Sequence, residues 1–202
     1  MSELVSFEKQ GSVGVVTVNN PPVKIGERGL IAVDERCRTA DPHIYAVGDV
    51  TGDPMLAHRA MRQGKVAAEA IAGRAAAFDN VAIPAVVFTD PEVAWVGLME
   101  TEARRAGRQI KVTKFPWAAS GRAASIGRSD GLTKLVVDAA TSRVLGVGIV
   151  GPGAGELIAE ASLAVETAVT VEDLALTIHA HPTLSEGLME AAESLLHQGG
   201  AS

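Results

Sequence analysis

Apolar and polar positions alternate differently along this chain, and each change of period marks a change of element. Val5-Ser6-Phe7-Glu8 and Val13 to Val18 are short β-rich runs on either side of Lys9-Gln10-Gly11-Ser12. Two such runs around a glycine-bearing turn predict a β-hairpin. Asn19-Asn20-Pro21-Pro22 then breaks the second strand, because proline carries no backbone donor. Gly29 to Val33 reads as a short strand, and Ile44-Tyr45-Ala46-Val47 as a buried strand ending in Gly48-Asp49. From Met55 to Ile71 the period becomes helical, with Leu56, Ala60, Ala67 and Ile71 on one face and Gly73 as the stop.

Residues Gly73 to Ala82 read as a linker, which places a domain boundary near residue 80. Beyond it, Val86 to Val96 is a strand interrupted by Asp90-Pro91, Glu100 to Ala106 a helix closed by Gly107, and Ile110 to Phe115 a strand. Leu132 to Val137 and Val144 to Val150 form a hairpin around Asp138 to Arg143. Glu156 to Ala168 and Leu184 to Leu196 are helical, with apolar stripes at Leu157, Ala161, Ala164, Ala168 and at Leu184, Leu188, Ala192, Leu195. Strands followed by helices predict an α+β fold: an antiparallel sheet with helices packed on one face.

Composition narrows the function. The net charge of −6 argues against a nucleic-acid partner, and Arg104, Arg105 and Arg108 sit beside Glu100 and Glu102 as a solvated helix surface. No run approaches the roughly 20 apolar residues of a membrane span, and the N-terminus lacks a signal-peptide core. Cys37 is the single cysteine, so an internal disulfide and a cysteine-based metal site are both excluded. No metal site is expected, and a reducing, cytoplasmic location is.

The chemistry concentrates in two segments. In His179-Ala180-His181-Pro182-Thr183-Leu184-Ser185-Glu186, a histidine precedes a helix and a glutamate follows it by five residues. A carboxylate that holds one imidazole nitrogen leaves the other free to exchange a proton near neutral pH. Thr183-x-x-Glu186 is equally a capping box, in which the glutamate serves the helix N-terminus. In the second segment, a buried strand delivers Asp49 at its C-terminal end, and a helix starting near Leu56 or Ala57 directs its positive end outward. Asp49 could equally just stabilise the turn from Gly48 to Pro54.

HAHPTLSE with its helix resembles the C-terminal signature of dihydrolipoamide dehydrogenases, members of the flavin-disulfide reductase family. The resemblance implies that His181 is the acid/base, that Glu186 orients it, and that His179 is a supporting residue. Ala46-Val47-Gly48-Asp49 followed by Leu56-Ala57-His58 is similar to the second FAD motif of that family. By that likeness Asp49 would hold a ribityl hydroxyl, and Leu56, Ala57 and His58 would meet the isoalloxazine. Lys24 to Asp34, and Phe88-Thr89-Asp90-Pro91-Glu92 with Val96-Gly97, support the likeness, which runs from about residue 23 to about 197. The domains implied are the end of an FAD-binding domain over 23–80 and a dimerisation domain over 81–202. A homodimer follows from the resemblance, with 2-oxoacid dehydrogenase complex components as partners of the parent enzyme.

Gly146-Val147-Gly148-Ile149-Val150-Gly151 matches a dinucleotide fingerprint literally, but its first glycines fall inside a hairpin strand rather than at a strand-to-helix turn. An NAD site and a pyrophosphate cradle are therefore absent from the reading, as is a Cys-x4-Cys pair. Residues 1–22 resemble instead the opening hairpin of the crotonase family, up to Asn20-Pro21-Pro22-Val23. Three readings stay open. They are a dimerisation domain with a flavin-domain remnant that does not turn over alone, a cofactor-free interaction module using the same interface, and an enzyme of another kind built on His181 and Glu186.

Overall fold

In a computed structural model, residues 5–18, 23–26 and 28–199 are described, and the chain divides into two compact units, Met1–Asp79 and Asn80–Ser202. The expected break at Asn19 to Pro22 lies outside the described residues.

The first unit opens on a hairpin of β1 (Val5–Gln10) and β2 (Val13–Val18), paired from Val5↔Val18 to Gln10↔Val13. Phe7 and Val5 stand largely exposed. The two strands expected over 29–33 and 44–47 do not form. Only single bridges, Ile25↔Ile31 and Arg38↔Tyr45, remain. Both runs have the right residues for strands, but a strand exists only where a neighbour completes its ladder, and single bridges are all that the described residues provide. The single-turn helix Gly48–Thr51 leads to α1 (Ala57–Ile71). The face predicted for α1 is corrected too: Ile71 is exposed, and the buried positions are Arg59, Gln63, Val66 and Ala67.

The second unit is a five-stranded antiparallel sheet of order β3-β4-β7-β6-β5. Its strands are β3 (Ala85–Val87), β4 (Val93–Gly97), β5 (Ile110–Pro116), β6 (Leu132–Asp138) and β7 (Val144–Val150). The helices are α2 (Glu100–Arg105), α3 (Gly121–Ser125), α4 (Ala154–Glu166), α5 (Val171–Leu176) and α6 (Glu186–Gly199). Alternate residues of the sheet (Ala94, Val96, Leu135, Val137, Val147, Ile149) form one core with Ile158, Ala161 and Ala164 of α4 and Leu188, Ala191 and Ala192 of α6. Period two in the strands and period 3.6 in the helices thus meet on the same face. The buried Trp117 indole donates to Thr133 Oγ1 at 3.0 Å, so its ring adds apolar area without orphaning its N–H.

Gly146 and Gly148 lie within β7, hydrogen-bonded to both neighbouring strands, and a side chain at Gly146 would run into the backbone of Leu98. These glycines serve strand packing. The expected apolar stripes are spent largely within the unit itself. Leu188, Ala192, Ala161 and Ala164 are consumed by the unit's own core, Leu184 and Leu195 pack against it, and Ala168 lies beyond the end of α4 with φ 55°. Among the described residues of this unit, the apolar side chains left outside include Val81, Phe88, Leu163, Leu176 and Ile178.

Candidate functional site

The loop between α5 and α6 carries the first candidate centre. Thr170 starts α5 with a complete capping box: its hydroxyl accepts from Asp173 N–H at 3.2 Å, and Asp173 Oδ2 accepts from Thr170 N–H at 2.9 Å. After α5 ends at Leu176 the chain runs without regular structure to Glu186, the first residue of α6. His181 Nδ1 lies 2.9 Å from Glu186 Oε1. The other oxygen, Oε2, accepts from Thr183 N–H at 2.7 Å. One oxygen of Glu186 thus meets the His181 ring and the other the Thr183 N–H at the start of the helix. The capping box itself is half made, because Thr183 Oγ1 donates to Ala180 O at 2.7 Å. The Thr183 N–H and the His181 ring hold the Glu186 carboxyl below its usual range. An ionised Glu186 can only accept in this bond, which puts the shared proton on His181 Nδ1. The His181 side chain is 78% exposed, and that of Glu186 is 17%.

His179, two residues earlier, turns the other way. Its side chain is 6% exposed, with Nδ1 donating to Thr177 O at 2.9 Å and Nε2 lying 2.8 Å from Glu160 Oε1 on α4. Burial draws its pKa down, but the Thr177 carbonyl and the Glu160 carboxylate outweigh burial and leave it raised. Glu160 had no place in the sequence reading. It stands 19 residues from His179 on a helix whose other face is apolar, so only the fold reveals the pair.

In the first unit, Asp49 lies exposed in the Gly48–Thr51 turn, against which α1 packs. Leu56 is the N-cap of α1 with extended backbone, no side chain caps that end, and Ala57 and His58 are exposed in the first turn. The turn is fixed from behind. Arg59 Nη1 donates to Gly52 O at 2.7 Å and Gly48 O at 3.4 Å, and Nη2 to Thr51 Oγ1 at 3.1 Å. Gln63 Oε1 accepts from Gly48 N–H at 2.8 Å. Gly48 itself has φ +78° and would press a Cβ against Ala60, so glycine suits the position. Arg59 and Gln63 were missed because an amphipathic reading looks for apolar residues on the buried face. Their i,i+4 spacing was the available signal. An exposed carboxylate beside an uncapped helix N-terminus fits the ribityl and ring end of a flavin.

Cys37 is buried, donates to Gln63 O at 3.7 Å, and has its thiol pKa raised by burial and by Asp34, against the opposing pull of Arg59. A cleft of the second unit is lined by Leu98, Glu102, Arg108, Asp138 and Val165, among others. Its acids are already committed: Asp138 accepts from Arg108, Ala140 and Thr141, and Glu102 from Met99 N–H. Among the described residues no cluster of His, Cys, Asp and Glu could hold a metal ion, and no helix is long and apolar enough to cross a membrane.

Residues 83–192 match the family described as pyridine nucleotide-disulphide oxidoreductase, dimerisation domain, and residues 12–64 match the pyridine nucleotide-disulphide oxidoreductase family. The second match takes in β2, and it lends the crotonase likeness of residues 1–22 no support. The dihydrolipoyl dehydrogenase of Thermus scotoductus is 60% identical over 176 residues, 87% of this chain and 38% of that protein. That of Geobacillus stearothermophilus is 54% identical over 193 residues, 96% of this chain and 41% of that protein. The chain thus spans about two fifths of the length of these curated relatives. Among solved structures, LpdA from Mycobacterium tuberculosis is similar with a TM-score of 0.80 at 32% identity, covering 86% of this chain and 38% of that one. The HOCl-induced flavoprotein disulfide reductase RclA from Escherichia coli shares the fold with a TM-score of 0.78 at 24% identity, covering 95% and 48%.

Proposed function

Because the chain belongs to the pyridine nucleotide-disulphide oxidoreductase family, we propose that it performs the C-terminal share of a dihydrolipoamide dehydrogenase. In this proposal residues 23–80 are the end of the flavin domain and 81–202 the dimerisation domain. His181 is the acid/base and Glu186 its orienting partner. The observation that carries the reading is the 2.9 Å bond between His181 Nδ1 and Glu186 Oε1, with the rest of an exposed imidazole left to meet substrate. FAD supplies the electron-accepting ring in the family. Here Asp49 would hold a ribityl hydroxyl, and the α1 start at Leu56, Ala57 and His58 would face the ring edge.

Alone, this chain should not couple dihydrolipoamide oxidation to NAD. The reaction needs a thiol–disulfide pair, and Cys37 is single, buried and held as a thiol. NADH formation from dihydrolipoamide by the purified chain would overturn this. FAD should bind weakly or not at all, since the ribityl and ring contacts lack a pyrophosphate cradle beside them. A stoichiometric yellow complex surviving gel filtration would sink that statement.

The partner is a second copy. Leu176 and Ile178 are 82% and 96% exposed and lie in the segment bearing His181, and Leu163 and Phe88 are exposed elsewhere in the same unit. An apolar group of this kind suits a two-fold contact, in which His181 would serve the partner's flavin site. Sedimentation equilibrium at micromolar concentration should give a dimer of the 20.9 kDa chain, and a clean monomer would refute it. The cofactor-free module is the second reading, favoured by the buried, unpaired Cys37. A yellow complex would exclude the cofactor-free module, whereas a colourless dimer fits both readings. In a parent enzyme the same dimer would meet 2-oxoacid dehydrogenase components in the cytoplasm.

A further inference from the structure

The segment that carries His181 is long, irregular and mostly outside. From Leu176 to Pro182 every side chain is exposed except that of His179, which turns inward. Thr177 N–H reaches Leu174 O at 3.3 Å, and Thr183 Oγ1 reaches Ala180 O at 2.7 Å, but these bonds are local and tie the segment only to itself and to α5. Among the described residues, the side-chain hydrogen bond that joins the segment to the body of the unit between those points is His179 Nε2 to Glu160 Oε1 at 2.8 Å. Glu160 is well placed to anchor it, because α4 is fastened to the sheet through Ile158, Ala161, Ala164 and Val165.

We propose that Glu160 and His179 form a latch that positions His181 for its bond with Glu186. Neither is a catalytic residue, for the ring of His179 has both nitrogens occupied and is shut away from solvent. The inference rests on reading His181 and Glu186 as the acid–base pair. Thr177 O can only accept, so Nδ1 of His179 carries a proton, and an ionised Glu160 calls for a second proton on Nε2. The latch is therefore an imidazolium between a carbonyl and a carboxylate, stronger than a neutral hydrogen bond. The charged groups facing it are Glu160 from α4 and Glu186 from the start of α6, both acidic and both favouring that form. With the latch held, Ala180 and His181 have one place to go. Released, His181 could leave Glu186 and sample both tautomers.

The test uses the full chain without ligand, labelled with nitrogen-15 at its five histidines. In the unaltered protein, neutral His181 should show the proton on Nδ1. Glu160→Gln keeps the shape and removes the charge, so the titration midpoint of His179 should fall. His181 should lose its single tautomer for a mixture, while the amide spectrum of the sheet stays unchanged. Glu160→Ala should do the same more completely, and if it fails to fold Glu160→Gln decides alone. Glu186→Gln is the companion measurement. Should it disturb the His181 tautomer while both Glu160 variants leave it intact, the latch is overturned and the acid–base pair stands. Should Glu186→Gln have no effect while the Glu160 variants do, the pairing falls, and with it the latch as the device that positions that bond. Silence from all three removes both.

Discussion

The two units of the chain are held together by different forces. In the second, a continuous apolar core joins one face of the sheet to α4 and α6, and ion pairs such as those of Glu100 with Arg104 and Lys134 lie at its margin. In the first, the buried apolar cluster is Cys37, Val66 and Ala67, and the centre is polar: Arg59 and Gln63 bonded to the backbone of residues 48–52. Apolar packing tolerates local change because its energy is spread over many contacts. A buried polar network does not, since each donor or acceptor left unpaired costs about 1–3 kcal/mol. The stable unit thus supplies the scaffold, and the polar unit fixes one turn in one conformation.

The largest effect should come from the second unit. Leu135 is fully buried at the middle of β6, and Leu135→Ala should cost about 2–5 kcal/mol in denaturant unfolding. Val66→Ala in the first unit should cost clearly less, because so little apolar surface surrounds it. Equal costs would break the comparison.

Next in size is the polar centre of the first unit. Arg59→Met keeps much of the apolar stem and the room it fills, but takes the guanidinium donor from Gly52 O and one of the partners of Thr51 Oγ1, at a cost of about 1–3 kcal/mol. Hydrogen exchange should accelerate at residues 48–54 and remain unchanged in β6 and β7. A uniform rise across both units would show that the turn is no separate element.

How far the sequence could foretell these two units follows from the same contrast. In the second, strands β4 to β7 and helices α4 and α6 announce themselves, because period and burial coincide. The short α3 and α5 escaped, since five or six residues carry too little periodicity to separate from a loop. In the first, runs 29–33 and 44–47 had strand composition without partners, and composition cannot report a missing neighbour. His181 and Glu186 were legible because they lie five residues apart in one motif. Glu160 was not, because its meaning depends on a histidine brought to it by the fold.

A smaller effect should follow removal of the α5 cap. Thr170→Ala leaves Asp173 N–H without its side-chain acceptor and should cost about 0.5–2 kcal/mol of stability. Since α5 leads into the segment holding His179, faster exchange at residues 171–178 should accompany it. Unaltered exchange there would mean that the cap serves only its own turn.

The smallest effect should lie at the margin of the second unit, where Glu100 accepts from Lys134 of β6 and from Arg104 at 2.9 Å. The Lys134 and Arg104 bonds hold its carboxyl at about 2, from an ordinary value of 4.5. A carboxyl with a lowered pKa in the folded state adds stability at pH above the ordinary value and loses it as pH falls toward the lowered one. The contribution should therefore be complete above about pH 4.5 and fade between there and about pH 2. Arg104 is well exposed, and pairs so near solvent contribute up to about 1 kcal/mol. Glu100→Gln should therefore lower the melting temperature slightly at pH 7, and flatten its pH dependence below 4.5, with salt reducing the difference further. A Glu100→Gln loss as large as that of Arg59→Met would erase the contrast between the units, because marginal and buried polar bonds would then count alike.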